Sequence, residues 1–216
     1  MISTRTGPLE KLKQGLRRLR REPERLCHPL RRRWAKRRVA ELPSPQTVLV
    51  VCYGNICRSP YAAAKLRGLL RERGNQRVRV DSAGFVGPHR ESPPEAIDVA
   101  SARGFDLRRH RSRVISPESA QRAGLIVVME PGQARDVHRR FGIPVECLLV
   151  LGDLDPEPIH TRVILDPVLK PRAAFVECYD RIDRCLVGLV DLLWKPLPGG
   201  QRGPSGDSGK QQPPEH

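Results

Sequence analysis

Aromatic residues are scarce in this 216-residue sequence, at 4% of the chain, and only two tryptophans and two methionines occur. The sequence also lacks any run of 18 uninterrupted apolar residues, which excludes the usual hydropathy signal of a membrane-spanning helix. Its amino-terminal segment has neither the apolar stretch nor the small-residue cleavage site of a secretory signal. We therefore expect a cytoplasmic protein without a transmembrane segment.

The cysteine and histidine patterns exclude two further classes of protein. Six cysteines occur without repeated Cys-x-x-Cys pairs, and in a chain of this length they do not form a small disulfide scaffold. The six histidines show no spacing suited to a metal ion, so the sequence predicts no metal site. Each cysteine must therefore be interpreted from its own surroundings.

Positive charge is concentrated near the start of the sequence. Residues 1–40 contain 14 Lys and Arg against three Glu, so they hold +11 of the net +15 and leave +4 for residues 41–216. Spacings of three and four positions separate a stripe of leucines, Leu9, Leu12, Leu16 and Leu19. We expect residues 1–45 to be a basic extension, either an amphipathic helix or disordered, that contacts an anionic membrane surface, a partner or nucleic acid. The first of these contacts would make the protein membrane-peripheral through residues 1–40.

The rest of the sequence indicates one domain and a tail. Residues 195–216 are rich in Gly, Pro and Ser, which predicts a disordered tail. In residues 46–194, β-branched runs alternate with helical patterns. Strands are predicted at 48–51, 77–81, 125–129 and 146–150, and helices from Ser59, at 94–103, at 131–140 and at 175–193. This alternation predicts an α/β domain with a parallel sheet covered by helices on both faces, and a ligand site at the carboxyl ends of the strands.

The segment after the first strand, Cys-Tyr-Gly-Asn-Ile-Cys-Arg-Ser-Pro, combines a thiol with a guanidinium. Five residues separate Cys52 from Arg58, and Ser59-Pro60 is placed to begin a helix. A tight loop that leads into a helix turns backbone N–H groups inward, and the helix N-terminus adds a positive partial charge, so the loop suits a tetrahedral oxyanion. The planar fork of Arg58 can bind two oxygens of such an anion.

The positive field of this loop also favours ionisation of a thiol within it, so we expect Cys52 to be a thiolate nucleophile at neutral pH. Ser59 is expected to be the N-cap of the helix and to offer its hydroxyl to the sulfur. Gly54 supplies unusual backbone angles, and Asn55 tolerates the left-handed region. The expected substrate-binding residues are Tyr53, Gly54, Asn55, Ile56, Cys57 and Ser59.

Asp166, in Leu165-Asp166-Pro167, is the candidate proton donor. A nucleophile that attacks phosphorus needs an acid for the departing oxygen, and the same group can later activate water. Asp166 stands in a polar loop before the last helix, a place from which a carboxyl group can reach the mouth of the first loop. Without further context it would be an ordinary loop aspartate before proline.

Together these segments resemble the low-molecular-weight protein tyrosine phosphatases. Residues 51–60 resemble the family signature Cys-x-Gly-Asn-x-Cys-Arg-Ser, and Asp81-Ser82-Ala83-Gly84 resembles its second-strand motif. Residues 104–113 are similar to a stretch common in bacterial members, and Asp166-Pro167 falls where the family keeps its general acid. The resemblance covers residues 46–194.

The resemblance implies a four-stranded parallel sheet, a cysteinyl-phosphate intermediate, and no metal or organic cofactor. It implies that Cys52 is the nucleophile, Arg58 the clamp for phosphate and transition state, and Asp166 the acid and base. A hydrogen-bond network that holds the loop would contain Asn55, Ser59 and Ser82. The implied substrate is a tyrosine-phosphorylated protein, and bacterial members often oppose tyrosine kinases of capsule and exopolysaccharide export.

One departure from the family pattern and one residue of the loop concern the substrate. Members that act on phosphotyrosine usually follow Asp-Pro with tyrosines that flank the substrate ring, whereas this chain has Val168 and Leu169. Tyr53 and Phe85 are candidates to replace that aromatic wall. Phosphoarginine phosphatases on this scaffold typically have threonine in place of Ile56, so the apolar side chain favours phosphotyrosine.

Two further functions are alternatives to a tyrosine phosphatase. An arsenate reductase on the same scaffold would need additional relay cysteines on a mobile segment, and none occurs between Cys57 and Cys147. A catalytically weak phosphate-binding adaptor would keep the anion cradle and bind its partner through the basic extension.

The remaining cysteines and one histidine have structural interpretations. Cys57 is either a structural thiol or a partner that forms a disulfide with Cys52 under oxidants, as is common in the resembled family. Small core residues are expected at Cys147, Cys178 and Cys185. His110 is expected to order a loop through hydrogen bonds.

Overall fold

A computed structural model describes residues 8–194, with side chains from Glu24 onward. The elements in chain order are α1 Pro8–Glu41, β1 Thr47–Cys52, α2 Arg58–Glu72, β2 Arg79–Gly84, α3 Pro94–Ser101, α4 Pro117–Arg122, β3 Leu125–Val128, α5 Pro131–Phe141, β4 Leu148–Val150 and α6 Arg172–Leu193. The predicted tail at 195–216 lies outside the described residues, and the leucine stripe at 9–19 lies outside the described side chains.

The four strands form one parallel sheet in the order β2-β1-β3-β4. β1 and β3 lie at its centre, which explains their continuous β-branched and leucine runs, since a strand covered on both faces has no solvent side. The predicted four-stranded parallel α/β domain is therefore confirmed.

Helices cover both faces of this sheet. Alternate β1 residues point to opposite sides: Val48 and Val50 join a core with α1, α2, α3 and α6, whereas Leu49 and Val51 join a second core with α4 and α5. Burial on both sides holds the carboxyl end of β1 in one position. The residues that follow β1 therefore start from a rigid platform.

Several predicted boundaries differ from the observed ones. β2 begins and ends later than predicted, at Arg79–Gly84, and β4 starts only at Leu148 because the preceding Val145–Cys147 forms a 3-10 turn after Pro144. Sequence periodicity missed α4 altogether, since six residues are too few to give a helical pattern.

α1 is a helix of 34 residues that packs against the domain. Ala35 and Val39 are buried in the main core. The ring Nε2 of His28 donates to the Asp155 carbonyl at 2.9 Å, and Arg38 donates to the Leu148 carbonyl at 2.7 Å. Because later helix residues meet earlier residues of the β4 segment, α1 runs antiparallel to β4. No helix in the described part of the chain combines the length and apolarity needed to cross a membrane.

Candidate active site

The loop between β1 and α2 lies at the carboxyl edge of the sheet. Cys52 ends β1 and is paired in register with Gly84 of β2. A Cβ on Gly84 would lie 2.8 Å from both the Asn55 amide nitrogen and the Tyr53 carbonyl oxygen, so only glycine allows β2 to support the loop this closely. The Phe85 amide continues this contact by donating to the Tyr53 carbonyl at 2.7 Å.

The sulfur of Cys52 lies at the floor of this loop. Its side chain is buried, the Asn55 backbone N–H donates to Sγ at 3.2 Å, and the Ser59 hydroxyl lies 3.0 Å from Sγ. Cys52 also lies close to the start of α2, whose positive end is directed toward this region.

Ser59 was predicted to be the helix N-cap, and this prediction is wrong. α2 already begins at Arg58, its N-cap position is Cys57, and no side chain caps it. The Ser59 hydroxyl instead lies inside the loop, where it accepts from Asn55 Nδ2 at 2.9 Å and lies 3.3 Å from the Ala83 carbonyl. The hydroxyl therefore connects the loop, the sulfur and β2.

Asn55 is the centre of the loop's hydrogen-bond network. It is fully buried with φ of 50°, a left-handed conformation that asparagine adopts more readily than most residues. Its Oδ1 accepts from the Arg113 amide at 2.9 Å, and its carbonyl accepts from His110 Nε2 at 2.7 Å. The predicted loop-ordering role of His110 is thereby confirmed.

Ser82 is not brought into this network. Ser82 is buried in β2, where it pairs in register with Val50, and the Arg113 guanidinium donates to its carbonyl at 3.4 Å. Among the described residues, no hydrogen bond joins the Ser82 hydroxyl to the loop. The loop is held instead from the 110–113 segment, through His110 and Arg113.

The loop contains several hydrogen-bond donors that have no partner among the described residues. Among the backbone hydrogen bonds of the described residues, none is donated by the amides of Ile56, Cys57 or Arg58. The Arg58 side chain is almost completely buried, and its Nε has no partner there either. Unpaired buried donors are costly, so a group of them marks a place that favours an anion.

Arg58 links this loop to the Asp166 segment. One guanidinium nitrogen donates to the Ile164 carbonyl at 3.0 Å, and another forms an ion pair with the Asp166 carboxylate. Asp166 keeps 40% of its side chain exposed, whereas Arg58 keeps 3%. The Val168 amide donates to Asp166 Oδ1 at 3.2 Å and so holds the carboxyl group at the loop mouth.

The rim of the site contains few aromatic groups. Tyr53 is 58% exposed, whereas Phe85 is partly buried in the second core with the Arg140 guanidinium 5.3 Å from its ring centroid. Val168 packs against the main core, and Leu169 is fully exposed with φ of 60°. Of the two candidate replacements for the aromatic wall, Tyr53 is the one with a free ring.

The other thiols are free and have distinct surroundings. Burial, reinforced by the Asp166 carboxylate and the Cys52 sulfur, raises the pKa of the Cys57 thiol well above its usual value. Burial also raises the pKa of Cys178 to about 12. Cys178 and Cys185 are buried, and Cys147 packs at the edge of the second core, so the three predicted core cysteines are confirmed as packing residues. A disulfide between Cys52 and Cys57 stays a prediction.

Two supporting residues were missed in the sequence. The Arg90 guanidinium donates to the carbonyls of Gly54 at 2.8 Å and Val86 at 3.0 Å, and so braces the outer side of the loop. An exposed loop arginine 36 residues away from its partner gives no sequence signal. Tyr179 donates to the Cys57 carbonyl at 3.3 Å, and its signal was only a place on the apolar face of the last helix.

Fold and site together define a parallel α/β protein with a thiol at the floor of an anion-binding loop. A family model described as low molecular weight phosphotyrosine protein phosphatase matches residues 47–197. This chain therefore belongs to the low-molecular-weight phosphotyrosine protein phosphatase family. No group of three or more His, Cys, Asp and Glu side chains among the described residues is arranged to hold a metal ion.

Similar proteins come from several bacteria. A probable low molecular weight protein-tyrosine-phosphatase EpsP of Ralstonia nicotianae is 36% identical over 141 residues, which are 64% of this chain and 90% of that protein. Low molecular weight protein-tyrosine phosphatase A of Mycobacterium bovis is 33% identical over 168 residues, covering 76% of this chain and all of that protein.

Solved structures of two activities share the fold. The tyrosine phosphatase amsI of Erwinia amylovora aligns with a TM-score of 0.62 and 26% identity, over 69% of this chain and 94% of that one. The YwlE arginine phosphatase of Geobacillus stearothermophilus aligns with a TM-score of 0.59 and 26% identity, over 68% of this chain and 92% of that one.

Proposed function

We propose that this protein is a protein tyrosine phosphatase that hydrolyses phosphotyrosine through a cysteinyl-phosphate intermediate. One observation carries the proposal: the Cys52 sulfur lies in a loop whose amides at 56–58, together with Nε of Arg58, have no partner among the described residues. Four unpartnered donors in the loop that holds this sulfur suit a phosphoryl group that is bound and transferred there.

In the first step the Cys52 thiolate attacks phosphorus. The S–P bond forms as the P–O bond to the tyrosine oxygen breaks, and Asp166 gives its proton to that departing oxygen. The loop amides and Arg58 hold the three remaining phosphoryl oxygens as charge builds on them.

In the second step water releases phosphate. Asp166, now a carboxylate, takes a proton from water as the water oxygen attacks phosphorus, and the S–P bond breaks to restore the thiolate. The Ser59 hydroxyl, 3.0 Å from the sulfur, stabilises the thiolate as a leaving group. Arg58 must leave its ion pair with Asp166 to bind the phosphoryl group, which leaves the Asp166 carboxyl free to exchange protons.

A tyrosine-phosphorylated protein, such as a bacterial tyrosine kinase, is the proposed substrate. Ile56 at the loop and the exposed ring of Tyr53 support an apolar, aromatic partner for the phosphate group. The shared fold of an arginine phosphatase makes phosphoarginine the second candidate, and the fold is also compatible with the arsenate reductase and adaptor alternatives. The basic extension is proposed to add a contact with an anionic surface, either membrane or nucleic acid, outside the catalytic cycle.

A phosphopeptide panel tests activity and selectivity together. The full chain is assayed with matched phosphotyrosine and phosphoarginine peptides, alongside the Cys52→Ser and Cys27→Ser variants. We expect turnover of phosphotyrosine by the parent and by the variant at the exposed Cys27, and none by Cys52→Ser, which should still bind inorganic phosphate. Full activity of Cys52→Ser would refute the mechanism, and a large preference for phosphoarginine would refute the substrate.

A further inference from the structure

Helix α1 carries large apolar side chains that the domain does not cover. Leu26 is 73% exposed, Leu30 is 61% exposed and Trp34 is 71% exposed. Residues four positions apart lie one above the other on a helix, so these three form a single stripe, which we call the α1 stripe. Large exposed side chains grouped in this way indicate a contact surface.

The α1 stripe lies on the side of the helix away from the domain. The opposite side is fixed by His28, Ala35 and Val39, all of which are buried. At about 100° per residue these three positions point roughly half a turn away from the centre of the stripe. The stripe therefore faces away from the core that the described residues form.

Strong positive charge surrounds the α1 stripe. Residues 24–41 contain seven Lys and Arg against two Glu. On the same side of α1 as the stripe, Arg33 is exposed and forms no ion pair with any described residue, and the exposed Arg37 pairs with Glu41. The surface thus combines an apolar strip with cations on its borders.

This combination selects one occupant. A second copy of the chain would bring two basic helices side by side, and their like charges would repel. Nucleic acid would pair with the arginines but would leave the Leu and Trp side chains without an apolar partner. An anionic bilayer accepts both, because apolar side chains enter the acyl boundary while Arg and Lys meet the headgroups.

We propose that α1 docks on anionic lipid bilayers through Leu26, Leu30 and Trp34. Because α1 runs antiparallel to β4, the strands then lie along the bilayer plane, and the loop at Cys52 opens along the lipid surface. Phosphoproteins held at the membrane would be the substrates nearest to it, a consequence that rests on the proposed phosphatase function. The docking itself is independent of catalysis.

Trp34 provides a direct reporter of docking. The chain has one other tryptophan, Trp194, so the full-length Trp194→Phe variant carries Trp34 as its sole indole. Vesicles of phosphatidylcholine mixed with phosphatidylglycerol should shift its emission to the blue, whereas vesicles of phosphatidylcholine alone should not. No shift with the anionic vesicles overturns the proposal.

A pair of triple variants separates the apolar stripe from charge. The stripe variant replaces Leu26, Leu30 and Trp34 with Gln, and the control replaces three valines of about half exposure elsewhere, Val114, Val145 and Val187, with Gln. In vesicle flotation the stripe variant should lose at least about tenfold of its partitioning, since three apolar side chains no longer transfer, while the control keeps it. Unchanged thermal midpoints show that both variants fold.

Three results would contradict docking on lipid. Flotation of the stripe variant equal to that of the parent would mean that charge alone binds. Binding of duplex DNA without flotation would assign the helix to nucleic acid. A dimer of the parent that becomes a monomer in the stripe variant, again without flotation, would assign the stripe to a second copy.

Discussion

The guanidinium of Arg58 forms an ion pair with the carboxylate of Asp166, 108 positions later in the chain. The arginine is buried and the aspartate is partly exposed, so the pair lies at the boundary between the loop interior and its mouth. In the proposed mechanism an incoming phosphoryl group would compete with Asp166 for the same cation, which would couple substrate binding to the release of the proposed acid.

Replacement of Asp166 by Asn tests this coupling. We expect kcat for phosphotyrosine peptide to fall by about 10²- to 10⁴-fold, the usual contribution of a positioned acid and base. Inhibition by inorganic phosphate should stay as strong or become stronger, because Arg58 no longer faces a competing carboxylate. Steady-state kinetics with phosphate as inhibitor measure both quantities.

Asp191→Asn is the matched control for that variant. Asp191 also pairs with an arginine, Arg73, but both are exposed, near the ends of α6 and α2 that lie away from the loop. Its kcat should equal that of the parent. An Asp166→Asn variant with parental kcat would mean that another group supplies the proton.

The backbone contact between β2 and the loop predicts a large effect of Gly84→Ala. The added methyl group would lie 2.8 Å from backbone atoms of Tyr53 and Asn55, so the loop must move rather than a flexible side chain. Overpacking of this kind costs about 1–3 kcal/mol in the free energy of unfolding. The free energy of unfolding measured in urea and the kcat of the same sample should both fall.

Gly188→Ala serves as its control. A Cβ at Gly188, inside α6, meets its nearest neighbour at 3.8 Å, an ordinary contact. This change should raise the free energy of unfolding by about 0.5–1 kcal/mol, because alanine favours helix more than glycine. Equal stability of Gly84→Ala and the parent would show that β2 does not constrain the loop.

The sequence was informative where one local rule dominates. β-branched runs predicted β1 and β3, and the cysteine-to-arginine spacing predicted the loop. The Arg58 and Asp166 contact could not come from periodicity, since it joins segments far apart in the chain, and Asp166 was singled out only by its polar loop before the last helix and by the family resemblance. Ser59 was misassigned because Ser-Pro commonly begins a helix, whereas here the hydroxyl satisfies Asn55 inside the loop.

The structure of the basic extension, residues 1–45, could likewise be predicted only in part from the sequence. Composition left open whether residues 1–45 form a helix, and the structure has α1 at Pro8–Glu41. The packing of α1 against the domain depends on contacts such as that between His28 and Asp155, which lie 127 positions apart. Spacing within the helix cannot reveal which of its faces meets the domain.

His110 predicts a dependence of stability on pH. Burial lowers the pKa of His110 below its usual 6.5, and the hydrogen bond to the Asn55 carbonyl opposes this only in part. As pH falls below 6.5, His110 is therefore protonated in the unfolded chain before it is protonated in the folded chain. The contribution of His110 to stability is present above that pH and is lost as pH falls toward the lowered folded pKa.

His110→Gln should reduce this dependence. Glutamine can still donate to the Asn55 carbonyl but does not titrate, so the free energy of unfolding of the variant should fall less between pH 7.5 and pH 5.5 than that of the parent. Urea titrations of parent and variant at the two pH values measure the difference. Parallel pH profiles would exclude His110 as the responsible group.

Ser59→Ala tests the hydrogen bond to the Cys52 sulfur. A hydrogen bond to a charged group contributes about 1.5–3 kcal/mol, so its loss should slow the step in which sulfur leaves phosphorus by about ten- to a hundredfold. Hydrolysis of the intermediate should then lag behind its formation, and rapid mixing with an aryl phosphate should give a burst of phenol. The exposed Ser101→Ala in α3 should show parental kinetics. Loss of the burst and slow turnover together would instead mean that Ser59 acts on the attack of the thiolate, because formation of the intermediate would then limit the rate.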